Sequence, residues 1–219
     1  MRGSRLIFGI SAFFLIFIFP FHLKAENDCL SRGVSVIYVN GIRTDESQAQ
    51  ADTRVLENLY KSKIHFNEEV RFFNGYNPSH LAGFGDLVQS VTQAYDLPVS
   101  SYDRDTILNQ MHGELTTRKV LLVGHSQGTF YTNEMYEYLV KNGVPKESIA
   151  VYNIASPAHG VGGDGRHLTS SNDRLINRVR ELAALGRAQS PLPSNIDIPV
   201  PANEQHDDWG GHYFQSDYL

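Results

Sequence analysis

Short apolar runs alternate along the chain with stretches in which apolar residues recur every three or four positions. The runs are rich in β-branched residues and end at turn residues, which predicts β-strands, whereas the longer spacing predicts amphipathic helices. The predicted strands are 34–39, 69–73, 119–123 and 149–155, with a short strand at 166–169 and a weak last strand at 196–200. The predicted helices are 47–61, 80–117 in two pieces broken near Pro98, 129–141 and 172–189.

The order of these elements predicts an α/β fold class. Strands that alternate with helices form a mostly parallel sheet with helices on both faces. The strands are continuous apolar runs, as burial on both faces requires, and no internal repeat is visible. In such sheets the reactive groups gather at the carboxyl ends of the strands. Residues that directly follow a strand are therefore the candidates for chemistry.

One such segment is Gly124-His125-Ser126-Gln127-Gly128, between the predicted strand 119–123 and the predicted helix 129–141. A Gly-x-Ser-x-Gly sequence between a strand and a helix forces the serine into a tight turn with its hydroxyl exposed. A side chain at either flanking glycine would crowd the close approach of the strand and the helix. Because the five-residue pattern also arises by chance, its position between strand and helix carries the prediction. Ser126 is thus a candidate nucleophile.

A serine nucleophile needs a base, a group that orients the base, and donors for the oxyanion that forms on the substrate. With Ser126 in its tight turn, the chain resembles the α/β-hydrolase superfamily, close in style to compact bacterial lipases and esterases. The resemblance covers most of residues 34–219 and implies the α/β-hydrolase fold. The chain order in that family is nucleophile, acid, histidine. It implies Ser126, Asp173 and His212 as the catalytic triad.

Asp173 is the preferred acid because it follows the predicted strand 166–169 and precedes a predicted helix, a setting that resembles the family's acid. The alternative is that Asp173 only caps that helix, since aspartate is favoured at helix N-caps. Asp164 and Asp197 are the rival acids.

His212 is the preferred base, because two glycines precede it and it lies near the carboxyl-terminal end, as in the family's histidine loop. The chain has nine histidines, and His206 is the nearest competitor. His125, beside the serine, matches a common filler position in lipases. It is expected to point away from the nucleophile and not to act as the base.

The resemblance also implies two backbone N–H groups as the oxyanion hole, those of Gln127 and Ile42. Ile42 belongs to Asn40-Gly41-Ile42, after the first predicted strand, where many members have His-Gly-x. Asn-Gly is also simply a good turn pair, so the role of Ile42 stays open.

Two features near the carboxyl-terminal end depart from the family's pattern. Only seven residues follow His212, so the usual closing helix is expected to be shortened or absent. The strand expected before the histidine contains Pro199 and Pro201, which suit an edge strand at most.

Other chemistry is not favoured. The loop 160–165 fits the dinucleotide-binding glycine pattern. That motif also needs a helix that begins at the glycines and an acidic residue at the end of a second strand about 20 positions later, and the sequence has neither. His159, Asp164 and His167 lack a fourth partner at metal-binding spacing. The single Cys29 excludes an internal disulfide and Cys-based metal motifs. No cofactor and no metal is expected.

Length and composition fit one domain, since the chain has 219 residues of which 41% are hydrophobic. Residues 1–25 combine a basic start, an apolar stretch at 6–19 and a small residue at Ala25, which predicts a secretory signal peptide followed by a single domain at 26–219. This 14-residue stretch would span ~21 Å as a helix, short of a ~30 Å hydrocarbon core. Export to the periplasm or beyond is therefore favoured over a membrane anchor.

The chain is acidic, with a net charge of -5. Removal of residues 1–25, which hold three basic residues and no acidic one, leaves 16 basic against 24 acidic residues and a net charge of -8. With no cluster of Lys and Arg, nucleic acid is not an expected partner.

The function expected from these observations is that of an exported serine hydrolase that cleaves lipid-like or other acyl esters through an acyl-enzyme. The expected partner is a small-molecule or lipid ester, with transient contact at a membrane surface left open. The alternatives are an amidase, thioesterase or acylated-carbohydrate deacylase on the same triad, or a non-catalytic envelope protein that retains the fold. Residues 80–117 are left open as a helical cap over the site.

Overall fold

The computed structural model describes residues 33–42, 44–64, 68–77, 100–115, 117–187 and 189–219. The predicted signal peptide at 1–25 and the first part of the predicted helical region, 80–99, lie outside the described residues. Within the described ranges, no helix is both long and apolar enough to cross a bilayer.

Five strands form one sheet in the described part of the chain: β1 (Val34–Val39), β2 (Val70–Asn74), β3 (Lys119–His125), β4 (Ile149–Ile154) and β5 (Arg166–Leu168). Their spatial order is β2-β1-β3-β4-β5, and every neighbouring pair is parallel. The predicted parallel α/β sheet is confirmed. Strand β3 lies in the centre, so a residue that follows it lies between the ends of β1 and β4.

The described residues include five α-helices: α1 (Glu46–Lys63), α2 (Ser101–Leu115), α3 (Gly128–Lys141), α4 (Arg174–Ala184) and α5 (Phe214–Asp217). Helix α5 is the short closing helix expected after His212. Helix α2 contacts α3 and β3, and its Ile107 and Met111 are buried in the core. Residues 101–115 of the predicted region 80–117 therefore pack on the sheet.

The sheet buries both faces, and adjacent residues of one strand belong to different cores. Ile37 and Val39 pack in a core that includes residues of α2 and α3. Val36 and Tyr38 pack on the other side with Phe214 of α5. Because successive side chains in a strand point to opposite faces, a strand covered on both sides is largely apolar.

The predicted strand at 196–200 is wrong as a strand, and the structure shows a single bridge between Ile196 and Ser170 instead. Extended chain still lies beside the segment that follows β5, and the Ser171 N–H donates to the Ile196 carbonyl at 2.8 Å. Pro199 and Pro201 have no N–H to donate, so a regular ladder cannot continue there.

The helix predicted at 172–189 is shorter than expected and spans Arg174–Ala184. It begins at Arg174 because the Asp173 side chain accepts a hydrogen bond from the Ile176 N–H at 2.9 Å, which makes Asp173 the N-cap. The buried face of this helix consists of Leu175, Ile176 and Val179.

Candidate active site

Ser126 follows the central strand directly and occupies a strained turn. Its φ is 54°, in the left-handed region that non-glycine residues adopt rarely and at a cost of about 1–3 kcal/mol. The Ser126 N–H donates to the Ile154 carbonyl at 3.0 Å, which fixes the turn against the end of β4. The strain is thus maintained by the sheet, and it projects the hydroxyl away from both strand and helix.

The two glycines of the turn are required by close packing. A Cβ on Gly124 would lie 2.8 Å from the Cα of Thr129 in α3. A Cβ on Gly128 would collide with the carbonyl oxygen of Val39 at the end of β1. Glycine at both positions therefore lets α3 begin directly after the carboxyl end of β3, as the sequence pattern predicts.

The structure brings Ser126, His212 and Asp173 together in one hydrogen-bonded line. The His212 Nε2 lies 2.9 Å from the Ser126 Oγ, and the His212 Nδ1 lies 2.8 Å from the Asp173 Oδ2 and 3.0 Å from Oδ1. All three residues are buried. An ionised carboxylate can only accept, so Nδ1 carries the proton and Nε2 is left to accept the serine O–H. This arrangement can take a proton from a serine hydroxyl and return it to a leaving group.

Asp173 serves two structural purposes at once. Its Oδ1 accepts the Ile176 N–H of α4 as the helix cap, and the same carboxylate contacts His212. The helix-capping role of Asp173, which was the alternative to its role as the triad acid, is therefore compatible with that role. The rivals do not reach the histidine: Asp164 is exposed, and Asp197 accepts from the Ser171 hydroxyl at 3.1 Å. His206, the competing base, is exposed.

The loop after β1 lies directly against the serine. A Cβ on Gly41 would lie 2.8 Å from the Cβ of Ser126. Ile42 and Ser126 line the same cavity. Within the described part of the chain, neither the Ile42 N–H nor the Gln127 N–H donates to a protein acceptor. Neither N–H is therefore engaged by the described part of the protein.

Asn40, which stands where many α/β-hydrolases have histidine, braces this loop. Its buried Oδ1 accepts the Asn77 N–H at 2.8 Å, and its Nδ2 donates to the Gly41 carbonyl at 2.9 Å. The Asn77 Nδ2 in turn donates to the Gln127 Oε1 at 3.4 Å. The network joins the segments that follow β1, β2 and β3. The sequence analysis identified this loop but not the network, because Asn77 lies 37 positions from Asn40 along the chain.

His125 fixes the loop that carries His212. Its Nε2 lies 2.9 Å from the His212 carbonyl oxygen, and since that oxygen only accepts, His125 must donate. Burial, followed by the nearby His212, lowers the pKa of His125 to about 3. The ring therefore stays neutral near pH 7 and keeps this tautomer. The expectation that His125 is not the base agrees with this contact, but its contact with the histidine loop was not foreseen.

Replacing His125 with glutamine is expected to flatten the acid dependence of stability. An unfolded histidine takes up a proton near pH 6.5, whereas folded His125 does so only near pH 3. Between these values the unfolded state binds more protons, so stability falls as the pH falls, by about 1.4 kcal/mol per pH unit for one proton. Urea unfolding between pH 6 and pH 4 should show this slope reduced in His125→Gln. An unchanged slope, or an equal change in the exposed control His206→Gln, would contradict it.

Ser126 and His212 line a cavity of about 560 Å³. Helix α1 contributes Gln48 and Asp52 to its wall, and the segment before and within α5 contributes aromatic side chains, namely Trp209, Tyr213 and Phe214. None of the described residues that line the cavity is Lys or Arg.

Asp52 ties the α1 wall of the cavity to the carboxyl-terminal segment. Its buried carboxylate accepts from Gln215 at 2.6 Å, from Gln48 at 2.8 Å and from the Tyr38 hydroxyl at 3.1 Å. Burial, and then the charge of Asp52, raises the pKa of Tyr38 well above its ordinary value, so the phenol remains a donor. Neutral donors thus satisfy this carboxylate from three elements.

The residues outside this site that could have suggested other chemistry do not assemble. The loop 160–165 is followed by β5, which begins at Arg166, and not by a helix. The His167 ring lies 2.9 Å from the Pro193 carbonyl oxygen. Among the residues that the structure describes, no group of three or more His, Cys, Asp and Glu is arranged to hold a metal ion.

The parallel sheet with a serine turn at the end of its central strand has the α/β-hydrolase arrangement that the sequence resemblance implies. No protein-family model and no curated protein matches the chain. Similar solved structures include a cutinase-like protein from Cryptococcus sp., with a TM-score of 0.38 and 16% identity over 59% of this chain and 56% of its own. Phospholipase PlaB from Legionella pneumophila has a TM-score of 0.35 and 16% identity over 74% of this chain and 31% of its own.

A third similar structure is YbtT, a type II thioesterase from the yersiniabactin biosynthetic pathway, with a TM-score of 0.33 and 15% identity over 71% of this chain and 53% of its own. The matched part spans 56% or less of each of these three proteins. The likenesses concern the fold, and they bring no substrate to this chain.

Proposed function

We propose that this protein is a serine hydrolase that cleaves carboxylic esters through an acyl-enzyme, with Ser126, His212 and Asp173 as its triad. The observation that carries the proposal is the continuous line of hydrogen bonds from the serine hydroxyl through the imidazole to a buried carboxylate. Buried polar groups in such a line are costly unless each is satisfied, and here the order of donors and acceptors fits proton transfer.

In the proposed mechanism the Ser126 oxygen attacks the ester carbonyl carbon while its proton passes to Nε2 of His212. The carbonyl oxygen becomes an oxyanion and accepts hydrogen bonds from the Gln127 and Ile42 N–H groups. The C–O bond to the alcohol then breaks, and the imidazolium returns the proton to the leaving oxygen. Water repeats the sequence on the acyl-serine and releases the acid. Asp173 holds the imidazole in the required tautomer, and no cofactor takes part.

The character of the cavity supports an acyl or lipid-like ester as substrate. Its wall carries Trp209 and Phe214 beside the nucleophile, and its described lining has no Lys or Arg. Aromatic and aliphatic surface of this kind binds an acyl chain. Contact with a lipid surface remains part of the same proposal.

A second candidate on the same triad is an acylated-carbohydrate deacylase. Gln48, Gln215 and Trp209 all line the cavity. Amide side chains can donate to and accept from hydroxyl groups, and an aromatic ring can cover an apolar face of a sugar. This candidate differs from the first only in the group released.

Export is proposed from the amino-terminal sequence, with residues 1–25 as a cleaved signal peptide. An exported hydrolase without a disulfide has to be stabilised by its core, and the two cores on the faces of the sheet fulfil this requirement.

A fluorophosphonate probe tests the proposed function, because it reacts covalently only with an activated serine. The folded protein is expected to be labelled once, and mass spectrometry of the digest should place the label on Ser126. Heat-denatured protein should not react. Labelling elsewhere, for example on Ser216 in the same cavity, or no labelling of folded protein, would contradict the proposal. Hydrolysis of p-nitrophenyl esters of increasing acyl length, compared with acetylated sugars, then separates the two candidate substrates.

A further inference from the structure

The acid of the proposed triad has a partner outside the triad. The Tyr218 hydroxyl donates to the Asp173 Oδ2 at 2.8 Å and accepts the Ser170 N–H at 3.0 Å. Because a backbone N–H can only donate, the phenol oxygen is the acceptor there. The one hydrogen of the phenol is therefore directed at the carboxylate.

This hydrogen bond ends on the oxygen that faces the imidazole most closely. The Asp173 Oδ2 lies 2.8 Å from the His212 Nδ1, whereas Oδ1 lies 3.0 Å from it and also accepts the Ile176 N–H. Both oxygens are thus held on two sides, Oδ1 by the helix cap and Oδ2 by Tyr218. Rotation of the carboxylate would break at least one of these bonds, so its orientation toward the imidazole is set by neighbours that do not react.

Tyr218 is itself firmly placed. It is 8% exposed and directly follows α5, whose Phe214 stacks on Tyr38 with the ring centroids 4.5 Å apart. The Tyr213 N–H donates to the Asp217 side chain at 2.7 Å and closes the first turn of this helix. Burial, followed by the charge of Asp173, raises the pKa of Tyr218 far above its ordinary value. The phenol therefore stays a neutral donor near neutral pH.

We propose that Tyr218 is a positioning residue for the proposed ester hydrolysis, which orients the Asp173 carboxylate and disperses part of its charge. The inference rests on the proposed function. Tyr218 does not line the cavity, so it acts on the chemical step through Asp173 and not on substrate binding.

Two consequences follow for the variant Tyr218→Phe. Loss of one charge-assisted hydrogen bond is expected to lower kcat by about 10- to 100-fold with KM little changed. The carboxylate also keeps more of its charge and binds an imidazolium more strongly. Free enzyme then retains the proton on His212 to higher pH, and the acid limb of kcat/KM should move up by several tenths of a pH unit or more.

Other ionisable groups face this pair and must be separated from it. His125 contacts the His212 carbonyl from the end of β3, and the Glu204 carboxylate lies 3.5 Å from the Gly211 N–H. Asp217 of α5 has its pKa raised to about 6, first by burial, so it could itself produce an acid limb. The comparison is therefore repeated on the background Asp217→Asn. The shift caused by Tyr218→Phe should persist there.

The experiment measures pH profiles of p-nitrophenyl ester hydrolysis for the full chain, for Tyr218→Phe and for the control Tyr152→Phe. Tyr152 packs on the same face of the sheet, and no hydrogen bond connects it to Asp173. The control should keep kcat and the acid limb. If Tyr218→Phe lowers activity only in proportion to the folded fraction, or leaves the acid limb in place, Tyr218 is merely a packing residue and the inference is wrong.

A readout without substrate separates this inference from the proposed function. The proton between the His212 Nδ1 and Asp173 is expected far downfield in the proton NMR spectrum. Tyr218→Phe should shift this resonance, because the carboxylate that accepts the proton loses one of its other hydrogen bonds. A protein that hydrolyses no ester but shows this movement contradicts the proposed function alone. An unmoved resonance in an active protein overturns the role of Tyr218 alone.

Discussion

Replacing Ser126 with alanine is expected to lower kcat for ester hydrolysis by about 10⁶-fold, because the hydroxyl that forms the acyl-enzyme in the proposed mechanism is removed. Alanine keeps the Cβ and meets the same backbone requirement at φ 54°, so the turn and the cavity should be preserved. KM should therefore change little. Initial rates with a p-nitrophenyl ester, measured on protein whose unfolding midpoint matches that of the wild type, provide the comparison.

The matched control for this prediction is Ser216→Ala. Ser216 lines the same cavity, and its hydroxyl donates to the Glu204 side chain at 3.0 Å. Removal of the Ser216 hydroxyl should leave the rate within about threefold, because no step of the proposed reaction uses it. Loss of its hydrogen bond should lower the stability of the protein by only about 1 kcal/mol. Should Ser126→Ala retain more than about a thousandth of the activity, a nucleophile other than Ser126 must operate.

Replacing Asp173 with asparagine is the second large expected effect, a fall in kcat of about 10⁴-fold. Asparagine remains a good N-cap, so α4 should stay intact. An amide in place of the carboxylate cannot stabilise the imidazolium, and it favours the tautomer whose Nε2 carries the hydrogen and no longer accepts from Ser126. Activity should fall while the unfolding free energy changes by little more than about 1–3 kcal/mol.

Asp164→Asn and Asp197→Asn are the controls that the sequence supplies, since both residues were rival acids. Asp164 is exposed, and Asp197 is bonded to the Ser171 hydroxyl and to Asn172. Each of these variants should keep kcat within about threefold, the scale of a surface substitution. A loss of several orders of magnitude in either of them, together with an active Asp173→Asn, would show that the acid was misassigned.

The sequence predicted the parts of the fold that depend on local patterns. Apolar runs identified β1, β3 and β4, because a strand buried on both faces is largely apolar. The serine turn was predictable because two close contacts demand glycine at fixed positions. The strand at 196–200 was predicted in error because its apolar residues pack beside the sheet, while its prolines prevent the ladder that a strand needs.

The contacts that hold the site together were not predictable in the same way. Tyr218 and Asp173 are 45 positions apart, and Asn40 and Asn77 are 37 apart. Phe214 and Tyr218 are four positions apart, as on one face of a helix. This spacing predicts that both side chains pack inward, but it does not predict the hydrogen bond between Tyr218 and Asp173. Such pairs depend on where the sheet brings the loops, and one sequence does not specify that.

The double use of Asp173 links the upper temperature limit of the proposed reaction to a single helix end. The first turn of α4 and the orientation of the imidazole depend on the same carboxylate. Helix ends are the places where ordered structure first frays on warming. Heat that loosens this one turn would free the Oδ1 side of the carboxylate while the five strands remain paired, so turnover is expected to decline below the temperature at which the protein melts.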